Sequence, residues 1–232
     1  MPDEYNTLRA WLDSTRDEPL ERMDAFFEAR LADYEAHMAP WRGQYAWMAQ
    51  LLPDGAAELL DLGCGTGLEL DAIFERMPGL HATCIDLSGE MLARLAAKHP
   101  RRALTLVQAD YFACDLGRER FDAAVAFETL HHFTLERKQE LFTRLRESLR
   151  PGGIYLECDY IAQTQAIEEL TFSECTRRRA RDGFAPEEYV HFDTPLTLEH
   201  EMQALKGAGF ARVELVGFLP GDANTAMLRA VR

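Results

Sequence analysis

A glycine-rich segment, Asp61-Leu62-Gly63-Cys64-Gly65-Thr66-Gly67, is the part of this sequence whose residue types point most directly to chemistry. It lies between an apolar run predicted as a strand, residues 58–62, and an amphipathic run predicted as a helix, residues 68–77. Glycine allows a sharp turn and a close approach of the backbone to a ligand. The spacing is G-x-G-x-G rather than the G-x-G-x-x-G of dinucleotide-binding loops, which disfavours NAD or FAD. The segment therefore predicts a ligand-binding loop of another kind.

Two aspartates follow the next two predicted strands. Asp86 ends the strand predicted at residues 81–85, and Asp110 follows the strand predicted at 103–108. A carboxylate in the first position can accept hydrogen bonds from both ribose hydroxyls of an adenosyl group. One in the second position can accept from the exocyclic amine of adenine. Each acid alone is equally well explained as a solvated strand end, but three such features in one crevice favour a nucleoside site.

The combination resembles the class I S-adenosylmethionine-dependent methyltransferases over residues 57–232. Leu59 to Gly67 matches the first motif of that family, and Pro151-Gly152-Gly153 matches its turn into the fifth strand. The resemblance implies that S-adenosyl-L-methionine is bound across the strand ends and leaves as S-adenosyl-L-homocysteine. The donor contacts that it implies are Asp61, Gly63, Cys64, Gly65, Gly67, Asp86, Leu87, Met91, Asp110, Tyr111, Glu128 and Tyr34.

Two adjacent histidines, His131 and His132, follow the fourth predicted strand. Nucleic-acid base methyltransferases typically have N/D-P-P-Y/F here, and the absence of proline from this segment argues against base methylation. The sulfonium is already a good leaving group, so the enzyme needs positioning and, for some acceptors, a general base. We expect His132, nearer the next helix, or else His131 to be that base. Either side chain is also explained by capping the helix or packing under the sheet.

The acceptor is expected to meet the end of the fifth strand, where Glu157, Asp159 and Tyr160 lie, together with Tyr189. These groups suit a cationic or hydroxylated acceptor, although polar strand ends are common without any ligand. The arginines at 177, 178, 179 and 181 leave two interpretations open. They form either a site for an anionic group of the acceptor or a solvated helix face paired with nearby glutamates.

The alternation of predicted strands and helices indicates an α/β fold with a doubly wound sheet. The resemblance implies seven strands, mostly parallel with the last one antiparallel, and helices on both faces. Residues 1–52 are predicted as an N-terminal helical cap, and 53–232 as the methyltransferase domain with a lid-like insertion at about 161–195. The aromatic residues of the cap either cover the site or simply pack on the domain.

Composition narrows the remaining possibilities. The chain has 232 residues, 47% of them hydrophobic, and a net charge of -14, which makes nucleic acid a poor partner. Its five cysteines are widely spaced and form no CxxC pair, so neither a metal site nor a disulfide framework is expected. We expect a cytoplasmic protein without a signal peptide or membrane segment. The oligomeric state, monomer or homodimer, stays open.

The sequence therefore predicts methyl transfer to an O, N or S atom of a small-molecule acceptor. Two alternatives keep the donor: a protein side chain as acceptor, or chemistry that modifies the adenosyl cofactor itself. A third is a protein that binds the donor or its product without turnover, because fold alone does not establish catalysis.

Overall fold

The computed structural model describes residues 2–232, which build two sheets and the helices around them. The helices are α1 Pro2–Ser14, α2 Met23–Arg30, α3 Tyr34–His37, α4 Arg42–Leu51, α5 Leu68–Arg76, α6 Gly89–Lys98, α7 Leu135–Ser148, α8 Gln165–Asp182 and α9 Leu198–Gly207. A 3₁₀ turn, Ala39–Trp41, precedes α4. The strands are β1 Glu21–Arg22, β2 Glu58–Leu62, β3 His81–Asp86, β4 Ala103–Gln108, β5 Phe121–Phe127, β6 Leu149–Tyr160, β7 Val190–His191, β8 Arg212–Gly217 and β9 Thr225–Val231.

Seven strands form the main sheet in the order β4-β3-β2-β5-β6-β9-β8. Strand β2 is parallel to β3 and β5, and β5 is parallel to β6. Strand β9 is antiparallel to both of its neighbours, β6 and β8. Helical crossovers between the parallel strands bring their carboxyl ends to one edge of the sheet. The predicted fold class is confirmed, including the reversed last strand.

The core lies on both faces of this sheet. Along β5, Ala123 and Val125 pack into one apolar cluster, while Ala124 and Ala126 pack into the other. Successive side chains of a strand point to opposite faces, so a strand covered by helices on both sides needs apolar residues throughout. The small residues of β5 therefore let this central strand be buried on both faces.

Hydroxyl side chains begin several helices, as the sequence predicts. Ser88 accepts a hydrogen bond from the Met91 amide at 3.3 Å at the start of α6. Thr134 and Thr197 do the same at the starts of α7 and α9. These caps satisfy backbone N–H groups that the first turn of a helix leaves without partners. They fix where each helix leaves the strand-end edge.

The N-terminal segment is less continuously helical than its spacing predicts. After α1 the chain extends into β1, which pairs antiparallel with β7 of the insertion: Glu21 lies opposite His191 and Arg22 opposite Val190. Pro19 precedes this strand, and proline disfavours helix both at its own position and at the residue before it. The strand partner at residues 190–191 lies far away in sequence, so local periodicity does not reveal it. Met1, the first residue of the predicted cap, lies outside the described residues.

The arginine run of α8 holds α1 in place. Arg178 donates to the Leu12 carbonyl at 3.1 Å, and Arg177 donates to the Arg16 carbonyl at 3.1 Å. Both guanidinium groups also pair with Glu174 on their own helix. Of the two interpretations open from the sequence, pairing with a glutamate is therefore observed, combined with capping of α1 carbonyls. The run faces the N-terminal segment rather than the cavity described below.

Within residues 2–232, no helix combines the length and the apolar character needed to cross a lipid bilayer.

Candidate functional site

A cavity of about 1070 Å³ lies at the carboxyl ends of the parallel strands. The loops that follow the strands form its floor: Gly63, Gly65, Asp86, Leu87, Ser88, Tyr111, Glu128, Thr129 and Tyr160. We call the opposite wall the roof; it is contributed by residues 23–44, 191–193 and 219–225. Open α/β sheets bind ligands at this edge, and the volume is at the upper end for small-molecule sites. The edge that the sequence predicts as the site is therefore enclosed by the roof.

The glycine loop approaches the cavity with its backbone. Gly63 and Gly65 have φ of 67° and 49°, in the left-handed region that favours glycine. A Cβ on Gly63 would lie 2.0 Å from Oγ1 of Thr129, and one on Gly65 would lie 3.1 Å from the Tyr34 hydroxyl. The loop and the roof residue Tyr34 thus already lie in close contact. A side chain on either glycine would occupy space that the packing does not offer.

Asp86 anchors this loop from the end of β3. Its Oδ2 accepts from the Gly65 amide and its Oδ1 from the Ser88 amide, both at 2.8 Å. Burial raises the pKa of Asp86, although these backbone N–H groups oppose that shift. A carboxylate offers about four lone-pair sites, so each oxygen retains acceptor capacity toward the cavity. The arrangement fits two adjacent hydroxyls of a ribose.

Asp61 lies beneath the loop rather than on the cavity surface. It is buried, and neither carboxylate oxygen has a hydrogen-bond partner among the described residues. Burial, reinforced by the neighbouring Glu69, raises the pKa of Asp61 well above its ordinary value. Cys64 and Gly67 likewise shape the loop without lining the cavity; a Cβ on Gly67 would meet Leu95 at 2.4 Å.

The residues expected around adenine divide between the cavity surface and its support. Leu87, Met91 and Tyr111 line the cavity. Asp110 does not: its Oδ2 accepts from the Tyr189 hydroxyl at 2.9 Å and its Oδ1 from the Phe112 amide at 2.7 Å. Tyr189, expected in the acceptor pocket, thus lies beside Asp110 outside the cavity.

His131 lies between two carboxylates. Its Nδ1 is 2.5 Å from Asp159 Oδ1, and its Nε2 is 3.4 Å from Asp193 Oδ1. Burial alone would lower the pKa of His131, but Asp159 and Asp193 outweigh it and raise that pKa well above its ordinary value. The group is therefore an imidazolium at neutral pH and has no free lone pair.

His132 is in the opposite state. Burial, followed by the charge of His131, lowers the pKa of His132 to about 3. Its Nδ1 lies 3.1 Å from the Phe192 carbonyl oxygen. This histidine is neutral at physiological pH, which leaves it able to accept a proton but only as a weak base.

Glu128 occupies a strained position beside these histidines. It is one of the non-glycine residues with a positive φ, 49°, and its amide donates to the Cys158 carbonyl at 2.9 Å. Burial raises the pKa of Glu128 to about 8, with Asp159 and Asp193 adding to the shift and His131 opposing it. Non-glycine residues in this conformation concentrate at functional sites, where the surrounding structure maintains the strain.

The end of β6 contributes in part. Tyr160 lines the cavity, and Asp159 reaches it through His131. Glu157 does not reach it: it is fully buried with Lys138 and Glu201 between the sheet and the helices α7 and α9. Strand alternation predicts the shared face of Glu157 and Asp159, but Glu157 lies two residues deeper under the helices. We therefore remove Glu157 from the expected acceptor site.

Several cavity residues escape sequence reasoning. Asp193 lies two residues after β7, and only its proximity to His191 in the sequence hints at a role. Thr129 and the roof residue Arg30 carry no motif. Their positions depend on the pairing of β1 with β7 and on loop contacts between residues distant in sequence.

Comparisons with known proteins agree with this site. The profile of a family described as methyltransferase domain matches residues 60–155. A carboxy-S-adenosyl-L-methionine synthase of Aeromonas hydrophila is 29% identical over 182 residues, covering 72% of this chain and 72% of its own. An uncharacterized methyltransferase of Mycobacterium tuberculosis is 30% identical over 117 residues, covering 49% of this chain and 57% of its own.

The fold has solved counterparts. Human N-acetylserotonin methyltransferase in complex with its donor superposes with a TM-score of 0.66 at 18% identity, covering 91% of this chain. The chain spans 59% of the length of that structure. With the glycine loop, Asp86 and the reversed last strand, these likenesses define the class. The chain is a class I, S-adenosylmethionine-dependent methyltransferase, and S-adenosyl-L-methionine is its cofactor.

Proposed function

We propose that this enzyme transfers the methyl group of S-adenosyl-L-methionine to an O, N or S atom of a small molecule. The observation that carries this proposal is the enclosed cavity of about 1070 Å³, whose roof covers the strand ends. A nucleoside donor and a small acceptor fit together in such a volume. A folded protein surface would need an open groove in place of the roof.

The donor lies on the floor of the cavity in this proposal. Asp86 accepts from the ribose hydroxyls, the loop at Gly63 and Gly65 passes beneath the donor, and Leu87, Met91 and Tyr111 surround the adenine. The support is that all of these residues line one continuous surface. Tyr34 places an aromatic face close to Gly65, where it can attract the positive sulfonium.

Asp61, Cys64, Gly67 and Asp110 have supporting parts in this proposal. They lie behind the cavity surface and hold the residues that line it. Glu128 lies at the cavity surface between the donor end and the histidines, so it stays in the proposed donor site.

The acceptor lies under the roof, next to His131, His132 and Tyr160. Of the two expected catalytic histidines, His132 is the neutral one, but its low pKa makes it a weak proton acceptor. His131 is held charged by its two aspartates and does not serve as a base at neutral pH. We infer that the reaction relies chiefly on aligning acceptor, methyl and sulfur, which by itself can contribute roughly 7–11 kcal/mol.

Residues 1–52 and 161–195 act as cap and lid in this proposal. The support is the strand pairing between β1 and β7, which joins the two segments above the cavity. Free cysteines are consistent with the cytoplasmic location that we propose: Cys64, Cys84, Cys114, Cys158 and Cys175 form no disulfide in the described chain.

The experiment is a screen of acceptors that reads out S-adenosyl-L-homocysteine. Panels of small phenols, alcohols, amines and thiols are compared with folded proteins and peptides. We expect product formation with one or more small molecules and loss of it in the Asp86→Ala variant. Turnover confined to protein or peptide acceptors would overturn the small-molecule proposal, and binding without turnover in every panel would favour the non-catalytic alternative.

A second candidate is chemistry on the donor itself. Carboxy-S-adenosyl-L-methionine synthases of two Aeromonas species align with 72% of this chain at 27–29% identity. Arg30 lines the roof and offers a positive charge for an anionic co-substrate. Mass spectrometry of the recovered donor separates the two candidates. A donor heavier by a carboxyl group supports this one, whereas demethylated donor supports methyl transfer.

A further inference from the structure

Two loops at the acceptor end of the cavity bring three ligand-type side chains together. His131 and His132 follow β5, and Asp193 follows β7. The loops are tied by a hydrogen bond from the Thr194 amide to the His131 carbonyl oxygen at 2.8 Å. One nitrogen of each histidine and one oxygen of Asp193 lie within 4.8 Å of one another, on the cavity surface. The cluster is therefore built on connected backbone.

The separations in this cluster match those between ligands of one metal ion. His131 Nε2 lies 3.4 Å from Asp193 Oδ1, and His132 Nδ1 lies 3.5 Å from the same oxygen. Ligands bound tetrahedrally at about 2.0–2.1 Å lie roughly 3.3 Å apart. These distances are long for hydrogen bonds, so direct pairing explains them poorly.

We propose that His131, His132 and Asp193 form a binding site for a divalent transition-metal ion, best matched by zinc. Two imidazoles and one carboxylate are an established donor set for such ions, and three protein ligands leave a coordination position open. That position faces the cavity. On the proposed function, it would take a water or an oxygen or nitrogen atom of the acceptor.

Asp159 provides the support that such a site needs. A metal-binding histidine commonly donates its other ring N–H to a carboxylate, which fixes the ring. His131 Nδ1 lies 2.5 Å from Asp159 Oδ1. Asp159 in turn accepts from the amides of Leu130 and Tyr160, each at 2.8 Å. The Nε2 atom of His131 is thereby directed at Asp193 and His132.

A second grouping, Glu128 with His131 and Asp159, also brings ligand atoms within 4.8 Å. It uses His131 Nδ1, whose 2.5 Å distance to Asp159 is that of a strong hydrogen bond. Two ligands sharing a metal ion would lie farther apart. The first cluster is therefore the better site, and it is one that the cysteine spacing in the sequence does not predict.

The test uses the tag-free full chain, stripped with a chelator, and titrated calorimetrically with zinc alone. We expect one zinc ion per chain with a dissociation constant below about 10 µM. Cobalt in place of zinc should give the intense visible absorption of a tetrahedral site. His131→Ala, His132→Ala and Asp193→Ala should each weaken zinc binding at least about 100-fold, and Asp159→Asn about 10–100-fold.

The matched control is His37→Gln, which changes another cavity-lining histidine outside the cluster and should leave zinc binding unchanged. Circular dichroism and donor binding of each variant show that it is folded. Zinc binding weaker than about 10 µM in the wild type, or retained in the three alanine variants, overturns the proposal. Neither donor nor acceptor is present, so failure here is distinct from failure of the methyl-transfer proposal.

Discussion

Asp86 has two duties, one to the protein and one to its ligand. Before any donor binds, its oxygens already hold the amides of Gly65 and Ser88. The same carboxylate faces the cavity with acceptor capacity remaining. Its replacement should therefore affect both the order of the glycine loop and the affinity for the donor.

Asp86→Ala should weaken donor binding by about 1–3 kcal/mol, the range of a lost charge-assisted hydrogen bond and its consequences. Isothermal titration calorimetry with S-adenosyl-L-methionine measures this directly. Asp122→Ala is the matched control: Asp122 accepts from the amides of Ala57 and Glu58 at the opposite end of β2. It should lower stability but leave donor affinity unchanged. Equal affinity in the Asp86 variant would remove this residue from the donor site.

Gly65→Ala should lower donor affinity about tenfold or more, because the added Cβ meets Tyr34 at the loop that approaches the donor. Its φ of 49° also costs an alanine about 1–2 kcal/mol of stability. Gly152→Ala isolates that second effect, since Gly152 has φ of 79° and nothing within 4 Å of its added Cβ. Calorimetry and urea unfolding of both variants separate binding from strain. A folded Gly65 variant with normal affinity would show that the backbone does not approach the donor there.

Residue types and spacing predict Asp86 and the glycine loop because both are local to single strand ends. Asp193 and Lys138 could not be predicted, since each acquires its partners from another part of the fold. Glu157 shows the same limit from the other side. Its position in a strand end is correctly read from sequence, but the helices that bury it are not.

At the scale of elements, α1 and α8 form a unit held by charge. Glu174 pairs with Arg177 and Arg178, and these arginines donate to the carbonyls of Leu12 and Arg16. The hydrogen bonds from the two arginines lower the pKa of Glu174 from 4.5 to about 2. A group with a lowered pKa in the folded state stabilises that state above its unfolded pKa and loses this contribution as the pH falls.

Glu174→Gln should therefore lower the free energy of unfolding at neutral pH by roughly 1–2 kcal/mol, after allowance for solvent screening. The difference from wild type should shrink as the pH falls from 4.5 towards 2. Urea unfolding followed across this range checks it. Glu169→Gln, on the same helix and bonded only to Gln165, is the matched control and should have little effect. A pH-independent difference would contradict the assigned ion pair.

Helices and strands with regular patterns were predictable, including the hydroxyl caps of α6, α7 and α9. The short strands β1 and β7 were not. Two residues are too few to show a period, and their backbone partners lie across the fold. Elements of this kind are defined by tertiary contact rather than by their own sequence.

For the whole molecule, donor binding should be linked to thermal stability. A ligand present at about 100 times its dissociation constant stabilises the folded state by about 2.7 kcal/mol. For a chain of this size that corresponds to a rise in Tm of about 5–10 °C. Thermal unfolding with and without S-adenosyl-L-homocysteine measures it, and the Asp86→Ala variant should show a smaller rise. No shift in the wild type at saturating ligand would contradict a built donor site.

The main sheet follows from the sequence because alternating strands and helices leave few ways to connect them. The enclosure of the cavity does not follow, since the roof combines segments from near the start, the middle and the end of the chain. The floor is thus the predictable half of the site. The roof, which faces the acceptor, is the half that only the structure reveals.

The antiparallel pair formed by β1 and β7 also bears on how the protein is made. Chains emerge from the ribosome N-terminus first, and early segments begin to fold during synthesis. Glu21 and Arg22 emerge well before Val190 and His191, with which they pair. The donor-binding floor is synthesised in the interval, so a nascent chain presents that surface to solvent before its cover can assemble. Completion of the acceptor chamber is consequently a late event in the biogenesis of the enzyme.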